Sequence, residues 1–175
     1  MAPSHQTIRR LHGQRGAVAI LFALFLPVLL SVAAFAINLA RLNLTKAELQ
    51  NAADAAALAG AQSLGDVLSP HWASAADTAQ VWAKHNVANG SKIKDATIET
   101  VYWPSLRPST SAPVAGDAPA IRAIITIDST HNSGPFKFFF APFLGIFRKN
   151  VSDTAIAVLL KPAGGSGASI PKLVK

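Results

Sequence analysis

Between Ala17 and Ala40 the chain runs 24 residues without a charged side chain. Coiled as a helix, at about 1.5 Å per residue, the run reaches about 36 Å, more than the roughly 30 Å hydrocarbon core of a bilayer. A helix on the surface of a soluble domain keeps one polar face, and this run has only Ser31 and Asn38 to offer. Ser31 can bond back to its own helix, and Asn38 lies near the end, where headgroups begin. Pro27 in the middle would break a soluble helix but is better tolerated in lipid, where it predicts a kink. Residues 17–40 are therefore predicted to cross a membrane, with Pro27, Ser31 and Asn38 as the features available for packing.

The flanks set a direction. Arg9, Arg10 and Arg15 precede the run with no acid among them, while Arg41 and Lys46 follow it beside Glu48 and Asp54. Three basic residues against two place the N-terminal segment 1–16 in the cytoplasm. No second apolar run of that length follows, so a single crossing is expected. A secretory signal peptide is the competing reading: Ala34-Phe35-Ala36 fits an A-x-A cleavage pattern, and cutting after Ala36 would release a secreted binding protein. Against it, the apolar run exceeds the usual 7–15 residues, and helix-forming sequence continues through the candidate site.

Residues 41–161 read as a small α+β domain. Arg41 to Leu64 lacks proline and is rich in alanine, with Leu42, Leu49, Ala53, Ala56, Gly60 and Leu64 on one helical face and Lys46, Gln50 and Asp54 on another. Ala52, Ala56 and Gly60 form a line of small residues suited to close backbone approach. A second helix is predicted from Ser69 as N-cap and Pro70 as first residue to a stop at Gly90, with Trp72, Ala76, Ala79, Ala83 and Val87 as its apolar stripe. Both Trp72 and Trp82 are expected in the core. Strands are predicted at 97–103, 120–128 and 151–160 from β-branched residues and alternation. Ile121, Ala123, Ile125 and Ile127 face inward, and the third strand places Val151, Asp153, Ala155, Ala157 and Leu159 on one face and Ser152, Thr154, Ile156, Val158 and Leu160 on the other. The expected architecture is one long helix continuing out of the membrane into about two helices packed on a roughly three-stranded antiparallel sheet, a lollipop shape. Residues 104–119, with four prolines, read as a loop, and 162–175 as a flexible glycine-rich tail.

Six of the nine phenylalanines fall within residues 135–147: Phe136, Phe138, Phe139, Phe140, Phe143 and Phe147. Two readings compete, a plug beneath the sheet and an exposed wedge for a membrane or partner, and the neighbouring Arg148 and Lys149 suit anionic headgroups. The Phe-rich segment is the candidate interaction patch.

Chemistry is sparse. Only 14% of residues are charged, and the net charge of +7 is spread thinly, with no Lys/Arg run longer than two. The clustered basic surface of nucleic-acid binders is missing, so no nucleic-acid partner is expected. Cysteine is absent, which removes disulfides and thiolate metal sites. No P-loop, GxSxG, HExxH or dinucleotide fingerprint occurs, and His5, His12, His71, His85 and His131 make no metal-type pair. Neither a cofactor, a small-molecule substrate nor an enzymatic activity is expected.

The stretches RGAVAILFALFLPVLL (Arg15–Leu30) and AELQNAADAAALAGA (Ala47–Ala61) together resemble the N-terminal region of TadG-like proteins of the bacterial tight-adherence (Flp/Tad) pilus-assembly system. The resemblance implies an inner-membrane protein with a periplasmic domain, serving pilus assembly and adhesion. It implies partners among pilins, pseudopilins and the inner-membrane platform, besides the lipid bilayer. Pseudopilins of that system are cut after a glycine before the apolar run, which corresponds to Gly16, with Ala17 as the new N-terminus. Their glutamate five residues later is Leu21 here. The missing carboxylate cannot pair with a neighbour's terminal amine in lipid, so an unprocessed anchor is expected.

Overall fold

A computed structural model describes residues 14–139, 148–161 and 169–174. Helix α1 (Gln14–Ser63) is 50 residues long and passes through Pro27 without interruption of its helical assignment. At about 1.5 Å per residue it extends about 75 Å. Its two ends live in different surroundings. From Val18 to Leu39 the large apolar side chains all stand exposed, whereas Leu49, Ala52, Ala53, Ala56, Ala57 and Ala61 have no solvent exposure at all. Beyond the helix, Gly65 takes a φ of +76° and its N–H bonds the Gln62 carbonyl at 3.4 Å, the left-handed stop that glycine adopts without strain.

Helix α2 (Trp72–Lys84) starts two residues later than the sequence signals suggest. Ser69 and Pro70 lie in the loop before it, because the His71 N–H is taken by the Leu64 carbonyl at 3.0 Å, and His71 itself becomes the N-cap, with no side-chain capping bond. Its buried residues are Ala75, Ala79 and Ala83, so Ala79 and Ala83 of the expected stripe face the core and Ala75 takes the place expected of Ala76. The helix also ends before Gly90. Strands β1 (Val87–Ala88) and β2 (Ser91–Lys92) form a hairpin closed by Asn89 and Gly90, with φ of 51° and 72°. Two left-handed residues in a two-residue loop are what a hairpin with right-handed twist requires, hence Asn-Gly.

The main sheet has five antiparallel strands in the order β4-β3-β5-β8-β9, not three. These are β3 (Thr97–Trp103), β4 (Arg107–Pro108), β5 (Ala118–Ile127), β8 (Val151–Leu160) and β9 (Ile170–Val174). The three central strands match the predicted ones closely. The additions are the edges: β4 lies inside the proline-rich segment 104–119, and β9 lies in the presumed tail, of which 170–174 is therefore ordered sheet. Both carry a proline (Pro108, Pro171), which an edge strand accommodates because one side of its backbone has no ladder to complete. A separate two-stranded ribbon pairs β6 (Phe136–Lys137) with β7 (Arg148–Lys149).

Both helices cover one face of the sheet, where Ile121, Ala123, Ile125, Ala157 and Leu159 meet the alanines of α1 and α2. Each fully buried isoleucine or leucine there contributes about 1.5–3 kcal/mol. The small-residue line acts at Gly60: a Cβ built there would lie 2.9 Å from Ala79 Cβ, 3.0 Å from the Ala75 carbonyl oxygen and 3.0 Å from Ile121 Cγ2. Glycine is what lets α1, α2 and β5 converge. Trp72 packs edge-on against Tyr102 at 5.4 Å between ring centroids. Trp82, expected in the core, is 51% exposed, because it sits off the Ala75–Ala79–Ala83 line that faces α1. On the far side of the sheet Val101, Ala120 and Val158 form a smaller cluster with Trp103, Ile156 and Val174 against it.

Candidate functional site: the junction between rod and head

The exposed part of α1 is an apolar rod. Ser31 Oγ donates to the Pro27 carbonyl at 2.7 Å, so the serine is satisfied within its own helix. Gly16 has no heavy atom within 4 Å of where its Cβ would stand, Leu21 is exposed, and Ala36 is exposed in the middle of the continuous helix. The rod is long and apolar enough to cross a membrane.

At its far end the rod meets the Phe-rich segment. Asn38 is only 4% exposed, and its Oδ1 accepts the backbone N–H of Phe139 at 3.1 Å. One turn further on, the Arg41 guanidinium lies 4.2 Å from the centroid of the Phe139 ring and 5.3 Å from that of Phe136, within the range of a cation–π contact. Phe136 is fully buried and touches Phe138 edge-on at 5.1 Å, with Phe138 packed against the core. Phe139 is 68% exposed. The segment is thus divided: its first two rings fill space beneath the sheet, and its third stands out beside α1. Phe140, Phe143 and Phe147 lie outside the described residues. Lys137, Arg148 and Lys149 on the ribbon are all exposed.

Sequence reasoning singled out Asn38 and the phenylalanines separately and did not bring them together. Arg41 it counted only as a flanking charge. A polar residue near the end of an apolar run and an aromatic cluster 101 residues away carry no local signal of their contact.

Two family models match this chain. One for Tad-like Flp pilus-assembly proteins covers residues 59–157, more than half the chain. The chain belongs to the Tad-like Flp pilus-assembly family. The other, for TadE/G-like Flp pilus-assembly proteins, covers residues 16–63. The two meet within α1, so this Tad-family chain carries the rod under one model and α2 with most of the sheet, short of β9, under the other. No curated protein and no solved structure gives a match.

Elsewhere in the Tad-family chain two aspartates hold turns. Asp128 accepts the N–H groups of Thr130 and His131, each at 2.7 Å, and the Thr130 hydroxyl at 2.8 Å. These donors, the Thr130 N–H first, hold its carboxyl well below the usual carboxylate range. Asp117 is lowered likewise, chiefly by the Val114 N–H and then by Ser105. Both lock turns. A shallow groove lined by Gln50, Asp54, Thr154 and Leu173 holds one carboxylate, and Gln50 Nε2 already donates to Asp54 at 2.6 Å. Among the described residues no three of His, Asp or Glu gather to hold a metal ion.

Proposed function

We propose that this protein is a single-pass inner-membrane component of Flp pilus assembly, serving as a scaffold. In this reading α1 anchors it, segment 1–16 is cytoplasmic, and the α+β head stands in the periplasm within reach of pilins, pseudopilins and the inner-membrane platform. The observation that carries it is the continuity of α1: one helix is exposed and apolar along Val18–Leu39 and forms the core of the head from Leu49 onward. Removing the rod from a bilayer would leave a row of large apolar side chains in water, each costing about 1.5–3 kcal/mol relative to burial. The role is structural, since the polar groups described above stabilise turns and helix faces.

Because the chain has no cysteine, single introduced cysteines report topology cleanly. Carbonate-washed membranes should retain the protein, an impermeant maleimide should label Thr110→Cys from the periplasm, and Ser4→Cys should stay unlabelled until the membrane is opened. Intact mass should show an N-terminus upstream of the rod. Recovery of a soluble form beginning at Ile37 overturns the anchor and leaves the secreted binding protein in its place.

A further inference from the structure

Among the described residues, none of the basic groups around the rod–head junction pairs with a carboxylate. Neither ion pair among the described residues, Arg122–Glu99 or His131–Asp128, involves Arg41, Lys137, Arg148 or Lys149. The carboxylates at that end of the sheet are engaged elsewhere: Asp128 closes its own turn, and Asp153 accepts the Thr154 N–H at 2.9 Å. Depth is set by the bond between Asn38 and Phe139. A hydrocarbon core of about 30 Å takes about 20 helical residues, so a rod entering at residue 17 leaves the core close to residue 37, and the Asn38 contact holds the backbone of Phe139 at that boundary.

We propose that Arg41, Lys137, Phe139, Arg148 and Lys149 form a collar that binds anionic lipid headgroups and seats the head on the membrane surface. The proposal rests on the reading of α1 as a membrane anchor. Phe139 enters the boundary between acyl chains and headgroups with its exposed face, while its other side covers the Arg41 guanidinium. Lys137 and Arg148 are register partners on the ribbon, so these two cations share one of its faces, while the exposed Lys149, paired with Phe136, adds a third charge from the other side. Basic side chains beside an anionic leaflet each strengthen attachment by about fivefold at moderate salt, and the attraction fades within a Debye length. A lipid surface fits better than a protein partner because the patch is continuous with the membrane-crossing helix and uniformly cationic.

The full chain is reconstituted in phosphatidylcholine vesicles with and without phosphatidylglycerol, and amide hydrogen exchange is read by mass spectrometry alongside flotation. The expected result is flotation with both vesicles, and exchange at 136–139 and 148–150 slowed at least about threefold only where phosphatidylglycerol is present. High salt should reverse that protection, as should the triple change Lys137→Gln, Arg148→Gln, Lys149→Gln, which alters exposed side chains only and leaves core amides protected. Flotation with both vesicles but identical exchange in the two overturns the collar while the anchor stands. Failure to float with either overturns both. Protection that arises only when a purified pilus-assembly protein is added also overturns the collar, in favour of a protein partner.

Discussion

The Oδ1 of Asn38 accepts the backbone N–H of Phe139 at 3.1 Å, joining two residues 101 positions apart at the place where the apolar rod becomes the head. Asn38→Ala removes the acceptor and leaves a partly buried N–H without a partner, at a cost of about 1–2 kcal/mol. Urea unfolding in detergent should show the loss, and hydrogen exchange at Phe139 should accelerate while Ile125 stays protected.

Gly60→Ala tests the convergence of three elements. The new methyl would fall 2.9 Å from Ala79 Cβ and 3.0 Å from a backbone oxygen, which forces α1 and α2 apart and costs about 1–3 kcal/mol. Alanine's better helix propensity, about 1 kcal/mol, offsets only part of this. The melting temperature should fall, whereas Gly16→Ala, with open space around it, should leave it unchanged.

Phe136 and Phe139 should separate in stability measurements. Phe136→Ala empties a fully buried site and is expected to cost about 3–5 kcal/mol. Phe139→Ala, at a mostly exposed position, should change thermal stability little in detergent. Equal effects of the two substitutions would contradict the placement of Phe136 beneath the sheet.

Asp128 sets a pH dependence of definite sign. Its folded-state pKa is depressed by the Thr130 and His131 donors, so the stability it contributes is present above the unfolded carboxylate value of about 3.9 and is lost as pH falls through the lower folded value. Urea midpoints taken at pH 7 and pH 3 should differ more for the native chain than for Asp128→Asn. An unchanged difference would mean that the turn does not depend on the charge.

Much of this architecture was legible where periodicity is strong. The uncharged run marks the rod, the alternation in Val151–Leu160 assigns its two faces correctly, and the Ala52–Ala56–Gly60 line marks close packing. What escaped was decided by long-range pairing or by turn chemistry. Strand β9 follows a glycine-rich stretch and exists because β8 offers it a free edge. The Asn89-Gly90 hairpin had a readable signal, but it lay inside what looked like the end of a helix. The start of α2 depends on a carbonyl seven residues upstream, Leu64, which no capping rule consults. The link between Arg41 and Phe139 spans nearly the whole domain and leaves no trace in either local sequence.

The unbroken course of α1 makes the molecule a lever. With no hinge between lipid and cap after Pro27, a tilt of roughly 20° in the bilayer, common for single helices, would swing the end of a 75 Å rod sideways by roughly 25 Å. With α1 anchored as proposed, crowding or pulling on the stem would therefore reposition the distal loops as one body without any refolding.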